Sequence, residues 1–236
     1  MQLTLHIAGK SILLNSEGWV EMITAEAFDA VIFDCDGTLI YSSNVHIQCM
    51  QAGTKDQGHE MSADWYAARN GLDRISLFKE FRHTFDRTFD VDRACRTSIA
   101  HYGKAVHLAR PIGETISLAK TLGNRAMPLA VATNAERPVC ERLLDTVNIR
   151  ELFDTVVCIS DNVPPKPSPA IFQLAATRLG YPNGKVLVID DSPQGVQTAK
   201  AAGKRWSRNF EPVVKVDRMM KVTIQNEETK EPFARV

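Results

Sequence analysis

The chain has no excess of charge of either sign. Lys and Arg number 28, and Asp and Glu number 28. Nothing in that balance calls for nucleic acid or an anionic membrane as a partner. The sequence also lacks any apolar run near the ~20 residues that a membrane helix needs. No basic leader followed by a long apolar stretch stands at its start, so no signal peptide is expected. Paired-cysteine motifs are missing too. Five cysteines stand at positions 35, 49, 95, 140 and 158, an odd number with no Cys-x-x-Cys spacing. That pattern argues against a zinc ribbon or a dithiol redox site and fits free thiols in a reducing compartment. No internal repeat or low-complexity tract is visible. These absences point to a cytoplasmic protein with no nucleic-acid or membrane partner; they leave protein partners undetermined.

What is present is an ordinary globular composition, 44% hydrophobic and 24% charged over 236 residues. That length suits one large domain, or a core with a smaller insertion. Four short apolar runs each end abruptly in polar residues. Ala30 to Phe33 precedes Asp34-Cys35-Asp36-Gly37-Thr38, and Leu129 to Ala132 precedes Thr133-Asn134. Thr155 to Ile159 precedes Ser160-Asp161, and Val186 to Ile189 precedes Asp190-Asp191. Continuous runs of this length suit strands buried on both faces. Helical patterns lie between them at Glu114 to Leu122, Val139 to Val147 and Ala170 to Leu179. The alternation predicts an α/β fold, a doubly wound Rossmann-like parallel sheet whose ligands gather at the C-terminal strand ends.

About 90 residues separate the first two strands, far more than a crossover needs. Leu77, Phe78 and Phe81 share a helical face within that stretch. The expected organisation is a core over 28–44 and 107–210, with a helical cap inserted over 45–106. Residues 1–27 form an extension with a possible hairpin, Leu3, Leu5 and Ile7 pairing back on Ile12 to Leu14. Residues 211–236 form a tail in which Val213 to Val216 and Val222 to Ile224 are candidate edge strands.

The chemistry concentrates at Asp34 and Asp36. Two apart at a strand end, they point to the same side. At ~5 Å and an effective dielectric near 20, their repulsion is roughly 3 kcal/mol. A cation and a nearby lysine would offset it. Gly37 permits a tight turn, and Thr38 can hydrogen-bond within the loop.

Asp34-Cys35-Asp36-Gly37-Thr38-Leu39 after an apolar strand resembles the first motif of the haloacid dehalogenase-like superfamily. Thr133-Asn134 resembles the second motif, and Lys166 in Lys166-Pro167-Ser168-Pro169 the third. Val188-Ile189-Asp190-Asp191-Ser192, followed by Gly195 and Ala201-Ala202-Gly203, resembles the fourth. The match covers about residues 29–203. The resemblance implies that Asp34 attacks phosphorus to form an aspartyl-phosphate. It implies that Asp36 protonates the leaving oxygen and then activates water, and that Thr133, Asn134 and Lys166 bind the phosphoryl group. It implies Mg²⁺ as cofactor, held by Asp34, the backbone carbonyl of Asp36, Asp190 and Asp191. The residues alone leave plainer roles open. Lys166 sits in a proline-rich loop, and either aspartate of the fourth motif can cap the next helix, as Ser168 can cap the one before it.

The insertion resembles the caps of β-phosphoglucomutase and of sugar-phosphate phosphatases. His46 stands where several such relatives carry a histidine near the hinge. Gly71-Leu72-Asp73-Arg74 resembles the cap segment whose arginine contacts the distal part of the substrate. His46 and Arg74 are therefore expected at the substrate. Tyr41 departs from the family, where many relatives have an acidic residue. The expected activity is Mg²⁺-dependent hydrolysis of a small phosphorylated metabolite, a sugar phosphate first among them. A phosphomutase and a catalytically silent phosphometabolite-binding protein stand as alternatives.

Overall fold

A computed structural model describes residues 3–7, 10–14, 16–25, 28–69, 72–182, 184–206 and 213–215. Its framework is a parallel sheet. Strands β1 (Leu3–Ile7) and β2 (Lys10–Leu14) form a separate antiparallel pair, Leu3 opposite Leu14. Helix α1 (Ser16–Ala25) leads to β3 (Ala30–Phe33). The cap follows between two hinge strands, β4 (Ile40–Tyr41) and β5 (Arg110–Pro111), which pair antiparallel. It holds α2 (Ser43–Lys55), α3 (Ala63–Ala67), α4 (Arg74–Thr84) and α5 (Val91–Ala105). The core resumes with α6 (Gly113–Gly123), β6 (Leu129–Thr133), α7 (Arg137–Thr146) and β7 (Thr155–Cys158). It closes with α8 (Ala170–Arg178), β8 (Val186–Asp190), α9 (Pro193–Trp206) and β9 (Val213–Lys215).

The five-stranded sheet has the order β7-β6-β3-β8-β9, with every neighbour pair parallel. β3 sits at the centre. The chain turns from one side of β3 to the other after β7, which opens a crevice at the C-terminal ends of β3, β6 and β8. Alternation along each strand divides the core in two. Val31, Phe33, Val131, Leu187 and Ile189 pack with α1, α6 and α7. Ala30, Ile32, Ala130, Val186 and Val188 pack with α8 and α9, through residues such as Phe172 and Ala199. The continuous apolar runs in the sequence follow from this burial on both faces.

The cap has its own core. Met50, Met61, Leu77, Phe78, Phe81, Phe89, Val91 and Ala94 form a cluster separate from the two sheet layers. Phe81 meets Phe89 with ring centroids 5.1 Å apart. Helices α2 and α5 approach so closely at Gly53 that a Cβ there would lie 2.7 Å from the carbonyl oxygen of Ala94.

Four details differ from the sequence pattern or extend it. Residues before 28 hold more than a hairpin, because α1 places Trp19, Val20 and Ile23 in the main core. The hinge strands β4 and β5 are too short to show a period. Helix α9 runs on through Lys204, Arg205 and Trp206, and the next strand follows only at Val213. That strand is an edge strand of the core sheet, parallel to β8, as the pattern of Val213 to Val216 offered. Helix α8 begins at Ala170, one residue later than a Ser168 cap implies, with Pro169 at the cap position. Val216, Val222 to Ile224 and Gly71 lie outside the described residues. All five cysteines are free. Among the described residues, no helix is long and apolar enough to cross a membrane.

Trp19 tests whether α1 belongs to the core. It is fully buried, and its indole N–H has no partner among the described residues. Trp19→Ala should cost about 3–5 kcal/mol in urea unfolding through the cavity it leaves. Trp19→Phe removes the orphaned N–H along with part of the ring, and should cost about 1–2 kcal/mol less than the alanine change.

Candidate active site

The crevice at the strand ends collects the motif residues. Asp34 follows directly on β3, and Asp190 is the last residue of β8. Between their carboxylates lies one ammonium. Lys166 Nζ is 2.6 Å from Asp34 Oδ1 and 2.8 Å from Asp190 Oδ2. All three side chains are buried, Asp190 completely. The lysine also stands 4.9 Å over the ring of Phe172. Burial drives the Asp34 pKa well above the ordinary carboxylate value; Lys166 opposes that rise, and Asp190, Asp191 and Asp36 add to it. Burial alone would lower the Lys166 pKa, but the two carboxylates raise it, so the ammonium stays charged.

Asp191 completes the cluster from the other side. Its backbone N–H donates to Thr38 Oγ1 at 3.1 Å, and Thr38 Oγ1 lies 3.2 Å from Asp191 Oδ1. Thr38 thus ties the first motif to the fourth, rather than bonding only within its own loop. Gly37 is required beneath it. Its φ is +92°, and a Cβ there would run into the Asp191 carboxylate. Gly195 plays the same part under Asp190, where a Cβ would overlap the carboxylate outright. Asp190 Oδ1 accepts from the N–H and hydroxyl of Ser192, whose oxygen in turn accepts the Gly195 N–H at the start of α9.

Asp34, Asp190 and Asp191 can each offer one carboxylate oxygen, and these atoms lie within 4.8 Å of one another. Three carboxylates face one ammonium, which leaves an excess of negative charge in a buried place. An all-oxygen donor set with that excess fits a hard divalent cation. The Asp36 carboxylate is not part of the cluster. It turns to the cap side, where Oδ1 is 2.5 Å from Ser42 Oγ and 2.6 Å from His46 Nε2. Thr133 Oγ1 approaches its other oxygen at 3.3 Å. Burial pushes the Asp36 pKa up, but the facing imidazole and the hydrogen bonds from His46, Ser42 and Thr133 hold it at about 2. So Lys166 offsets one aspartate of the pair and His46 faces the other.

Other expected residues sit at the cleft with partners of their own. His46, on α2, faces Asp36 and packs edge-on against Tyr102 of α5. The side chain of Asn134 is tied to the Lys166 backbone, its Oδ1 accepting the Lys166 N–H at 2.8 Å. Arg74, at the start of α4, reaches from the cap into the core. Its Nε and Nη2 donate to the two oxygens of Glu136 at 2.7 and 3.0 Å, and Nη1 donates to Ser98 Oγ at 2.8 Å. Ser42, Ser98, Tyr102 and Glu136 carry no motif of their own. The cleft holds about 220 Å³ and is lined by the motif residues together with Arg69, Asp73 and Arg74 from the cap.

A model of one protein family, the haloacid dehalogenase-like hydrolases, matches residues 28–203. The chain is 26% identical over 179 residues to the fructose-1-phosphate phosphatase YqaB of Escherichia coli (strain K12), covering 75% of this chain and 94% of that one. It is 29% identical over 195 residues to the protein CbbY of Cereibacter sphaeroides, covering 75% and 82%. The crystal structure of CbbY from Rhodobacter sphaeroides in complex with phosphate shares the fold, with a TM-score of 0.68 and 23% identity over 75% of this chain and 83% of that one.

The buried lysine yields a stability prediction. In metal-free protein, Lys166→Met leaves Asp34 and Asp190 facing each other with no cation between them. That should cost about 3–5 kcal/mol in urea unfolding. Adding Asp34→Asn to the same protein removes one of the charges and should return part of the loss.

Proposed function

Because the chain belongs to the haloacid dehalogenase-like hydrolase family, we propose that it hydrolyses a small phosphomonoester at Asp34 with Mg²⁺ as cofactor. One observation carries the reading: the Asp34 carboxylate stands at the central strand end, within 2.6 Å of a buried ammonium and metal-spaced from Asp190 and Asp191. Phosphoryl transfer needs positioning and charge neutralisation more than covalent assistance. This arrangement supplies both.

Asp34 attacks phosphorus with its carboxylate oxygen, and the bond to the ester oxygen breaks. Binding of the negatively charged phosphoester raises the Asp36 pKa from about 2, so that Asp36 takes up a proton and delivers it to the leaving oxygen. The imidazole of His46 beside Asp36 steers its carboxylate and keeps a donor next to it. Water then attacks the phosphorus of the aspartyl-phosphate and returns a proton to Asp36, freeing phosphate and Asp34. Asp34, Asp190 and Asp191, with the Asp36 carbonyl, would hold a Mg²⁺ ion, which would supply neutralising charge for the phosphoryl oxygens. Lys166 neutralises the same oxygens from the other side. Thr133, at the end of β6, offers its hydroxyl to them. Asn134 contributes chiefly by fixing the Lys166 loop, since its amide is engaged there.

The cap closes the cleft and sets the reach to the rest of the substrate. The name of one relative, a fructose-1-phosphate phosphatase, supports a phosphorylated sugar or a similar small metabolite.

Asp34→Asn should lower phosphate release from a panel of phosphorylated metabolites by at least about 10³-fold while leaving the fold intact. It should not lower the melting temperature, because it removes a buried charge from a crowded acidic cluster. Chelation of Mg²⁺ should abolish the wild-type rate, and added Mg²⁺ should restore it. Turnover that persists in the Asp34→Asn protein or in chelator would contradict the reading.

A further inference from the structure

The cap wall of the cleft carries two arginines, and both are already paired. The Arg74 guanidinium meets Glu136 in a fork-to-fork bond at 2.7 and 3.0 Å, with the arginine side chain only 3% exposed. Its remaining nitrogen donates to Ser98. Arg69 pairs with Glu80 at 2.8 Å and lies 3.9 Å over the ring of Trp65. Asp73 adds a further carboxylate to the same wall, accepting from the N–H and hydroxyl of Ser76. Among the described residues lining the cleft, the basic groups that remain are Lys166, engaged by Asp34 and Asp190, and the imidazole of His46, which faces Asp36.

A second anion on the substrate therefore finds no uncommitted cation at the cap. To reach Arg74 it must displace Glu136, whose partly buried carboxylate would then stand beside the incoming anion with its buried counter-charge taken. Like charges brought together this way repel each other and oppose binding. A hydroxyl group meets no such barrier, since carboxylate oxygens accept from it directly.

We infer that Glu136 determines substrate class: by neutralising Arg74 across the cap–core boundary, it selects phosphomonoesters whose remainder is uncharged and hydroxylated, and rejects those with a second phosphate or a carboxylate. This rests on the phosphomonoesterase reading and narrows it. Glu136 acts through Arg74 and is a positioning residue. It takes no part in the phosphoryl step.

Two substrate pairs test the inference, each differing in one group. Glycerol 3-phosphate and 3-phosphoglycerate differ in a hydroxymethyl against a carboxylate. Fructose 1-phosphate and fructose 1,6-bisphosphate differ in a hydroxyl against a phosphate. The wild-type protein, with Mg²⁺, should favour the uncharged member by about tenfold or more in kcat/KM. Glu136→Gln frees Arg74 of its counter-charge and keeps a hydrogen-bond acceptor beside it. That change should reduce the preference by about fivefold or more, mainly through a lower KM for the charged member. Adding Arg74→Gln to Glu136→Gln should cancel the shift, which marks the effect as passing through Arg74. A wild-type preference for the charged members would overturn the inference and leave the phosphomonoesterase reading standing. So would a preference that Glu136→Gln leaves unchanged. The wild-type comparison needs no variant, so it decides the matter even where the variants fold poorly. Phosphate release from no member of either pair, nor from other phosphomonoesters, would overturn both.

Discussion

One buried ammonium holds the site together. Lys166 stands between Asp34 at the end of β3 and Asp190 at the end of β8, two adjacent strands of the parallel sheet. Without it, two carboxylates would face each other in a dry crevice, where charges interact far more strongly than in water. The sheet order follows the same logic. It brings β3, β6 and β8 side by side so that four separated segments deliver one charge cluster. Gly37 and Gly195 are the local condition for that convergence, since any side chain at either place would collide with an aspartate of the cluster.

The two aspartates of the first motif are separated by their partners. Asp34 belongs to the lysine and the carboxylates of the fourth motif, where burial drives its pKa up. Asp36, two residues on, belongs to the cap hinge, where His46 and Ser42 hold its carboxylate. One crowded loop thus presents two carboxylates in chemically different surroundings, and the proposed mechanism gives each its own task. The cap meets the core here, because α2 carries His46 to Asp36 and α4 carries Arg74 to Glu136.

Much of this was legible in the sequence. Apolar runs that stop at polar residues gave the strands and their functional ends, because a strand covered on both faces has little choice of composition. The shared face of Leu77, Phe78 and Phe81 became the cap core. What escaped was long-range or too short to have a period. Thr38 bonds to Asp191 across 153 positions, and Arg74 to Glu136 across 62. No local pattern encodes either partner. Arg74 read alone looks like a free cation awaiting a substrate; the fold supplies its counter-charge. Helix α1 was hidden for a different reason. Its burial comes from α6 and the sheet, and a single short helix near a chain end shows too weak a pattern to announce that.

The central claim is covalent attack by Asp34. Wild-type protein mixed with a substrate that it turns over can be quenched in acid during the reaction, reduced with borohydride, digested and read by mass spectrometry. The account predicts that reduction converts the aspartyl-phosphate at Asp34, and no other carboxylate, to homoserine. Unmodified Asp34 under conditions of active turnover, or a phosphoryl group trapped on another side chain such as His46, would contradict it.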